Sequence, residues 1–208
     1  MLDYLTSALV TLFVISDPIM MSGIFVGLTR DLSPEQRREV AFRGPVIAFG
    51  ILFFAGLGGA QLLSMLGISL AAFRISGGLL LLSAAAEMVF DRSARRQEQD
   101  ADTAITVDHV KNIAAFPLAI PLMAGPGAIT AMILLAGKAH GDVRLLGGLY
   151  GVAALVLLSN YVCFRLAGPI SASLGITGRV VVSRLLGIIL AALAVQFIGD
   201  GVSQWLSH

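Results

Sequence analysis

Two dipeptides carry most of the chemistry open to this chain. Asp17-Pro18 lies inside the first apolar run, and Gly125-Pro126 lies inside a later one, PLAIPLMAGPGAIT at residues 117–130. Asp before Pro is the order of a helix start: the carboxylate accepts backbone N–H bonds at the N-cap, and the proline has its φ preset at the first helical position. Gly125-Pro126 can be the same device without a side chain. A helix that starts inside a membrane leaves unpaired N–H groups and a positive dipole end there, which suit an anionic group. Gly127 lets a ligand approach the backbone, and Ser22 and Thr130, one turn into the two helices, offer hydroxyls.

Asp17 is the one charge in this set. A cap is worth about 0.5–2 kcal/mol, whereas an aspartate at the centre of a spanning helix costs about 2.5–3.5 kcal/mol on insertion scales. Glycine or serine would cap at lower cost. The carboxylate therefore reads as functional, holding a cation or a substrate ammonium or carrying a proton, with a cap alone as the plain alternative. Asn160 is mid-span in another apolar run, where an interhelical hydrogen bond and a ligand contact are equal readings.

The remaining polar residues read as structural. Arg74 and Arg184 are snorkelling cations near span ends, and Glu87 and Asp200 lie near helix ends. Gly56-x-Gly58-Gly59, Gly77-Gly78 and Gly147-Gly148-x-x-Gly151 read as surfaces where helices pack closely. His109, His140 and His208 fall in loops or tails, and the lone Cys163 excludes an intrachain disulfide or a multi-cysteine metal site. There is no H-E-x-x-H, no G-x-S-x-G and no glycine-rich phosphate loop. We expect no enzyme activity, no cofactor and no bound metal.

The elements that must position these residues are membrane spans. The chain has 208 residues, of which 57% are hydrophobic and 13% charged, with a mean hydropathy of +0.88. Soluble domains carry about a quarter charged residues. This size leaves no room for a further soluble catalytic domain, and a net charge of +1 gives no sign of a nucleic-acid partner. The N-terminus lacks the basic region and cleavage site of a signal peptide, so its apolar stretch is expected to remain as a span. Six spans are predicted, at about 5–28, 43–66, 70–90, 112–136, 143–168 and 180–206, each near the ~20 residues that a bilayer demands.

An internal repeat relates the halves. At a constant offset Asp17-Pro18 falls on Gly125-Pro126, Ser22 on Thr130, and Leu66-Gly67-Ile68-Ser69 on Leu174-Gly175-Ile176-Thr177. After a small insertion Arg74-x-x-Gly77 falls on Arg184-x-x-Gly187. Lys and Arg crowd the first, third and fifth loops, which makes those loops cytoplasmic and sends both termini outward. Three spans per half then give the repeats opposite orientations, the plan of many secondary transporters.

Asp17-Pro18, LGISLAAFRISGGLLLL at 66–82, PLAIPLMAGPGAIT at 117–130 and RLLGIILAALAVQFIGDG at 184–201 together resemble the MarC family, which includes small neutral amino acid transporters of the SnatA type. The resemblance covers nearly the whole chain. It implies a six-span inner-membrane protein related to the LysE-type exporters, with glycine and alanine as substrates. Met20 and Met21 depart from the family pattern, where a glycine and smaller residues are expected.

The expectation is an all-α polytopic membrane protein with six transmembrane helices in two inverted three-helix repeats, its first and fourth helices broken. Residues 1–90 and 112–208 form the halves, and 91–111 form a cytoplasmic linker. The protein would sit in the inner (plasma) membrane among its lipids and carry small neutral amino acids by alternating access. Asp17, Pro18, Ser22, Gly125, Pro126, Gly127, Thr130 and Asn160 would line the substrate site, with proton or sodium coupling and a homo-oligomer both open. The alternatives are a membrane assembly or regulatory protein without transport, and an intramembrane enzyme.

Overall fold

The computed structural model describes residues 1–30, 32–90, 113–139 and 141–206. The expected linker at 91–111 and the three histidines lie outside the described residues. All regular structure among the described residues is helical: α1 Leu2–Ser16, α2 Pro18–Leu28, α3 Pro34–Met65, α4 Leu70–Val89, α5 Ala114–Met123, α6 Pro126–Lys138, α7 Val143–Arg165 and α8 Ala167–Leu206. Five stretches are long and apolar enough to cross a bilayer, namely Leu2–Leu28, Pro34–Met65, Leu70–Val89, Val143–Arg165 and Thr177–Leu206. The expected span at 112–136 is instead two shorter pieces, α5 and α6.

Local chemistry sets the helix starts. Ser33 and Gln36 form a capping box, with Pro34 at the first helical position, so α3 begins well before its apolar part. At 32 residues it is about 48 Å long and overshoots a ~30 Å hydrocarbon core, which puts its charged first turns and the Glu39–Arg43 pair at the interface. Ser69 caps α4 by accepting from the Ala72 N–H at 3.1 Å, and Asp142 caps α7. Just ahead of α4, Gly67 takes φ +71°, and Gly175 in the equivalent position takes φ +61° and interrupts α8. Both are left-handed, which is why glycine stands at both.

α5 is π-helical. Pro117 and Pro121 bring no N–H, so an α-helical ladder cannot be completed there. The chain widens to a five-residue step, and the Ala124 N–H closes on the Ala119 carbonyl at 2.8 Å.

Helix packing is close where glycines meet a neighbour. A Cβ on Gly59 would lie 2.5 Å from the Ile133 side chain, and one on Gly78 would lie 2.9 Å from the Ala194 carbonyl. α4 lies along α8, and α3 along α7. α3 also packs on α5 and α6, as α7 does on α1 and α2, while α4 packs on α6 and α2 on α8. Phe54, Leu57, Leu79, Leu80, Leu155 and Ile188 face outward. Bands of exposed apolar side chains on long apolar helices need lipid around them, and the protein is a multi-pass membrane protein.

Contacts at the helix ends show which ends lie together. Tyr4 near the start of α1 donates to the Leu135 carbonyl at 2.8 Å, Lys138 pairs with Asp200 at 3.0 Å, and Arg74 Nη1 donates to Gln204 at 2.7 Å. At the opposite end Phe25 stacks on Phe164 with ring centres 4.6 Å apart, Arg37 lies over Phe25, and Arg179 lies against Gly23.

Candidate functional site

The first helix breaks at Asp17. This residue is at once the last cap of α1 and the N-cap of α2, at φ 36° and ψ 68°, and among the described residues it alone has positive φ without being glycine. Left-handed backbone costs an ordinary L-residue about 1–2 kcal/mol, and aspartate bears it better than most. Its N–H donates to the Phe13 carbonyl at 3.0 Å. Its Oδ1 accepts from the Met20 N–H at 3.2 Å, the N-cap bond that Asp-Pro implies. The side chain is buried, at 6% exposure for the residue.

The second break is built differently. Ala124 ends the π-helical segment and Gly125 is extended, at φ −76° and ψ 175°, with no side-chain cap for α6. The Gly-Pro pair thus starts a helix as expected, but through an extended residue rather than a left-handed one. The two breaks are neighbours. A Cβ on Gly127 would be 3.9 Å from the Ile15 side chain, and Ser16, Met123 and Ala128 line one small cavity with Leu52 and Val156. Its volume is about 10 Å³, room for a single water and not for an amino acid.

Asn160 reaches this region from α7. Its Nδ2 donates to the Ser16 Oγ and to the Val156 carbonyl, an interhelical bond plus a bond within its own helix. Its Oδ1 has no partner although the residue is fully buried. Thr11 Oγ1 and Ser183 Oγ are also buried without a partner. Ser183, from α8, is close enough to the Asp17 carboxylate to interact with it but makes no well-formed hydrogen bond. Buried polar atoms are normally paired, so the bare Asn160 Oδ1, on a side chain bound to Ser16 at the helix break, marks a place where a further partner fits.

The other expected residues divide. Ser22 is buried, and its hydroxyl donates to the Ile19 carbonyl at 2.6 Å within its own helix. The Thr130 methyl packs on Gly77, where an added Cβ would collide with it. Pro18 is buried, whereas Pro126 is exposed. The Asp17 and Gly125–Gly127 backbones, Ser16 and Asn160 are brought together. Ser16, Thr11 and Ser183 were not singled out in the sequence. Serine and threonine are common in membrane helices, and only the three-dimensional placement distinguishes these.

Three comparisons bear on identity. The family model described as MarC family integral membrane protein matches residues 2–206. A UPF0056 membrane protein of Archaeoglobus fulgidus is 37% identical over 206 residues, covering 99% of this chain and 95% of the relative. A UPF0056 membrane protein of Aquifex aeolicus is 33% identical, covering 97% and 93%. The UPF0056 inner membrane protein MarC of Salmonella arizonae is 29% identical, covering 94% and 92%. No solved structure matches. With its helices, its broken first span and a family match from end to end, this chain belongs to the MarC family of integral membrane proteins.

Proposed function

We propose that this protein is a secondary transporter of small neutral amino acids of the glycine and alanine class, working by alternating access through six spans. The observation that carries the reading is the meeting of two helix breaks, at Asp17 and at Gly125, beside a small cavity lined by Ser16, whose hydroxyl is held by the buried Asn160 with its Oδ1 left bare. In a bilayer a broken helix exposes backbone groups that lipid cannot satisfy, and it persists where a solute or ion satisfies them in turn. The α-carboxylate suits the N–H groups that open α2 and α6, and the ammonium suits Asp17 or free carbonyls nearby. Among the described residues Asp17 is the one ionisable group at the breaks, which gives a nucleophile–base pair nothing to work with and favours carriage over catalysis.

Two inverted repeats supply the second half of the reading, with α5 and α6 together as the fourth span. The packing of α3 on α5 and α6 is the image of that of α7 on α1 and α2. α4 on α6 is likewise the image of α8 on α2, and α4–α8 and α3–α7 are each their own image. The left-handed glycines Gly67 and Gly175 fall at equivalent places. Arg30, Arg37, Arg38, Arg43, Arg165 and Arg179 gather toward one end of the bundle, which we read as cytoplasmic, with both termini outside.

The narrow cavity favours a specific rival, a membrane assembly protein whose broken helices are packed shut in every state. Flux separates the two. Purified protein in proteoliposomes should take up or exchange labelled glycine, alanine or serine saturably and faster than protein-free vesicles. Equal rates with and without protein, for all three, would sink the transporter and leave the assembly reading.

A further inference from the structure

Arginine side chains converge on a pocket at the end of the bundle where Phe25 stacks on Phe164. It has a volume of about 320 Å³ and is lined by α2, α3, α7 and the start of α8, so both halves of the chain build it. Arg37, Arg38 and Arg165 stand in its wall, and no carboxylate does. The aromatic pair belongs to the same wall and holds Arg37, whose guanidinium carbon lies 5.4 Å from the centre of the Phe25 ring. Arg165 is held by Tyr161, one turn back on α7, whose hydroxyl accepts from Nη1 at 2.9 Å. A ring or a hydroxyl does not neutralise a guanidinium, and among the described residues neither Arg37 nor Arg165 has a carboxylate partner. The acidic side chains that open α3 are engaged outside the pocket. Glu35 is exposed and accepts from Ser33 Oγ at 3.1 Å with Arg38 nearby, and Glu39 pairs with Arg43 at 2.7 Å.

We propose that this pocket binds the phosphate group of an anionic phospholipid from the leaflet around it. Like charges facing one space repel, and an anion between them turns that repulsion into attraction. Guanidinium groups match phosphate oxygens with paired N–H donors, and α3 starts at Pro34 in the same wall, so its positive end adds to the field. A zwitterionic amino acid fits worse, because its ammonium would meet the same guanidiniums and no carboxylate. Depth selects the lipid as the source. The first turns of α3 lie beyond the hydrocarbon core at headgroup level, where basic pockets between membrane helices recognise phosphate headgroups. A volume of about 320 Å³ suits a headgroup and leaves the acyl chains in the bilayer.

Occupancy ties the halves together. Arg37 and Arg38 belong to the first half and Arg165 to the second, so one phosphate between them bridges α3 and α7 at the end where Phe25 and Phe164 meet. The site uses none of the residues at the Asp17 and Gly125 breaks and does not rest on the transport reading.

The test is thermal unfolding of the delipidated full-length protein in a non-ionic detergent at low ionic strength, titrated with short-chain phosphatidylglycerol, short-chain phosphatidylcholine or inorganic phosphate. Phosphatidylglycerol should raise the melting temperature saturably, and phosphatidylcholine much less, because its choline cancels the phosphate charge. Inorganic phosphate should act only at far higher concentration. Arg37→Gln and Arg165→Gln should each raise the half-saturating concentration of phosphatidylglycerol about fivefold. Arg37→Lys keeps the charge without the planar fork and should fall between Arg37→Gln and wild type. Arg144→Gln removes the same charge at the opposite end of α7 and should leave the affinity as it is. Where Arg37→Gln fails to fold, Arg38→Gln and Arg165→Gln, both at exposed residues, give the comparison. Equal responses to the two lipids, unaltered affinity in the pocket variants, or the same loss in Arg144→Gln would overturn the site. Glycine and alanine should not displace phosphatidylglycerol, and displacement would assign the pocket to the transported solute instead. An inorganic phosphate response that matches phosphatidylglycerol would keep the phosphate site and remove the lipid as its source.

Discussion

At Asp17 a single side chain caps a helix, tolerates left-handed backbone and places a buried carboxylate beside the Ser183 hydroxyl. Its substitutions separate those duties. Asn caps as well as Asp and is at ease in the left-handed region, so Asp17→Asn should melt near the wild-type temperature while amino-acid flux, or its dependence on an ion gradient, falls sharply. Asp17→Ala loses the bond to the Met20 N–H and meets the backbone strain, a destabilisation of about 1–2 kcal/mol. Asp17→Gly loses the same bond but relaxes the strain, and should stay within about 1 kcal/mol of wild type. Unaltered flux and coupling in Asp17→Asn, measured per inserted protein, would reduce the residue to a cap. Asp17 was legible in the sequence because a charge inside an apolar run has few uses. Ser183 was not, because a lone serine in a membrane helix signals nothing until another helix brings a carboxylate beside it.

Proline and glycine announce the places where helices stop, and at the level of elements they were the readable part. The Asp-Pro and Gly-Pro pairs mark helix starts, and the Ser33 capping box marks where α3 begins. The widened turn of α5 was not readable, since prolines say that a ladder fails and not how the chain rearranges. The ties between elements were hidden too. Lys138 on α6 pairs with Asp200 on α8, Gln196 donates to the same aspartate at 2.7 Å, and Arg74 on α4 holds Gln204. Both side chains of the Lys138–Asp200 pair are close to one-third exposed, so breaking it should cost at most about 1 kcal/mol of stability. Its effect on access should be larger. With Cys163 replaced by serine and Gly127→Cys as the reporter, Asp200→Asn should speed labelling by a membrane-impermeant maleimide, because α6 and α8 are freed to part at that end. Unchanged labelling would show that the pair does not hold that end closed.

The whole molecule turns on whether α5 and α6 together cross the membrane. Neither piece is long enough alone, and the described helices give five spans by length and apolarity. Hydropathy at 112–136 suggested a sixth because it averages over the break. The repeat argues for it independently, since α1 with α2 is a comparably interrupted unit within the span Leu2–Leu28. Sidedness decides between the two counts, because every element after residue 138 reverses if α5 and α6 fail to cross. Single cysteines at exposed positions in the Cys163→Ser background report it. With six spans, Leu66→Cys, Arg144→Cys and Val202→Cys should all react with an impermeant reagent from outside, and Glu35→Cys only after permeabilisation. With five spans, Leu66 would remain outside while Arg144 and Val202 label from the cytoplasm, which would also part Arg74 from Gln204 and Tyr4 from Leu135, contacts that hold these ends together in the structure. That second pattern would remove the inverted repeat, since halves that do not both cross an odd number of times cannot face opposite ways, and α2 and α6 could not then enter from opposite sides.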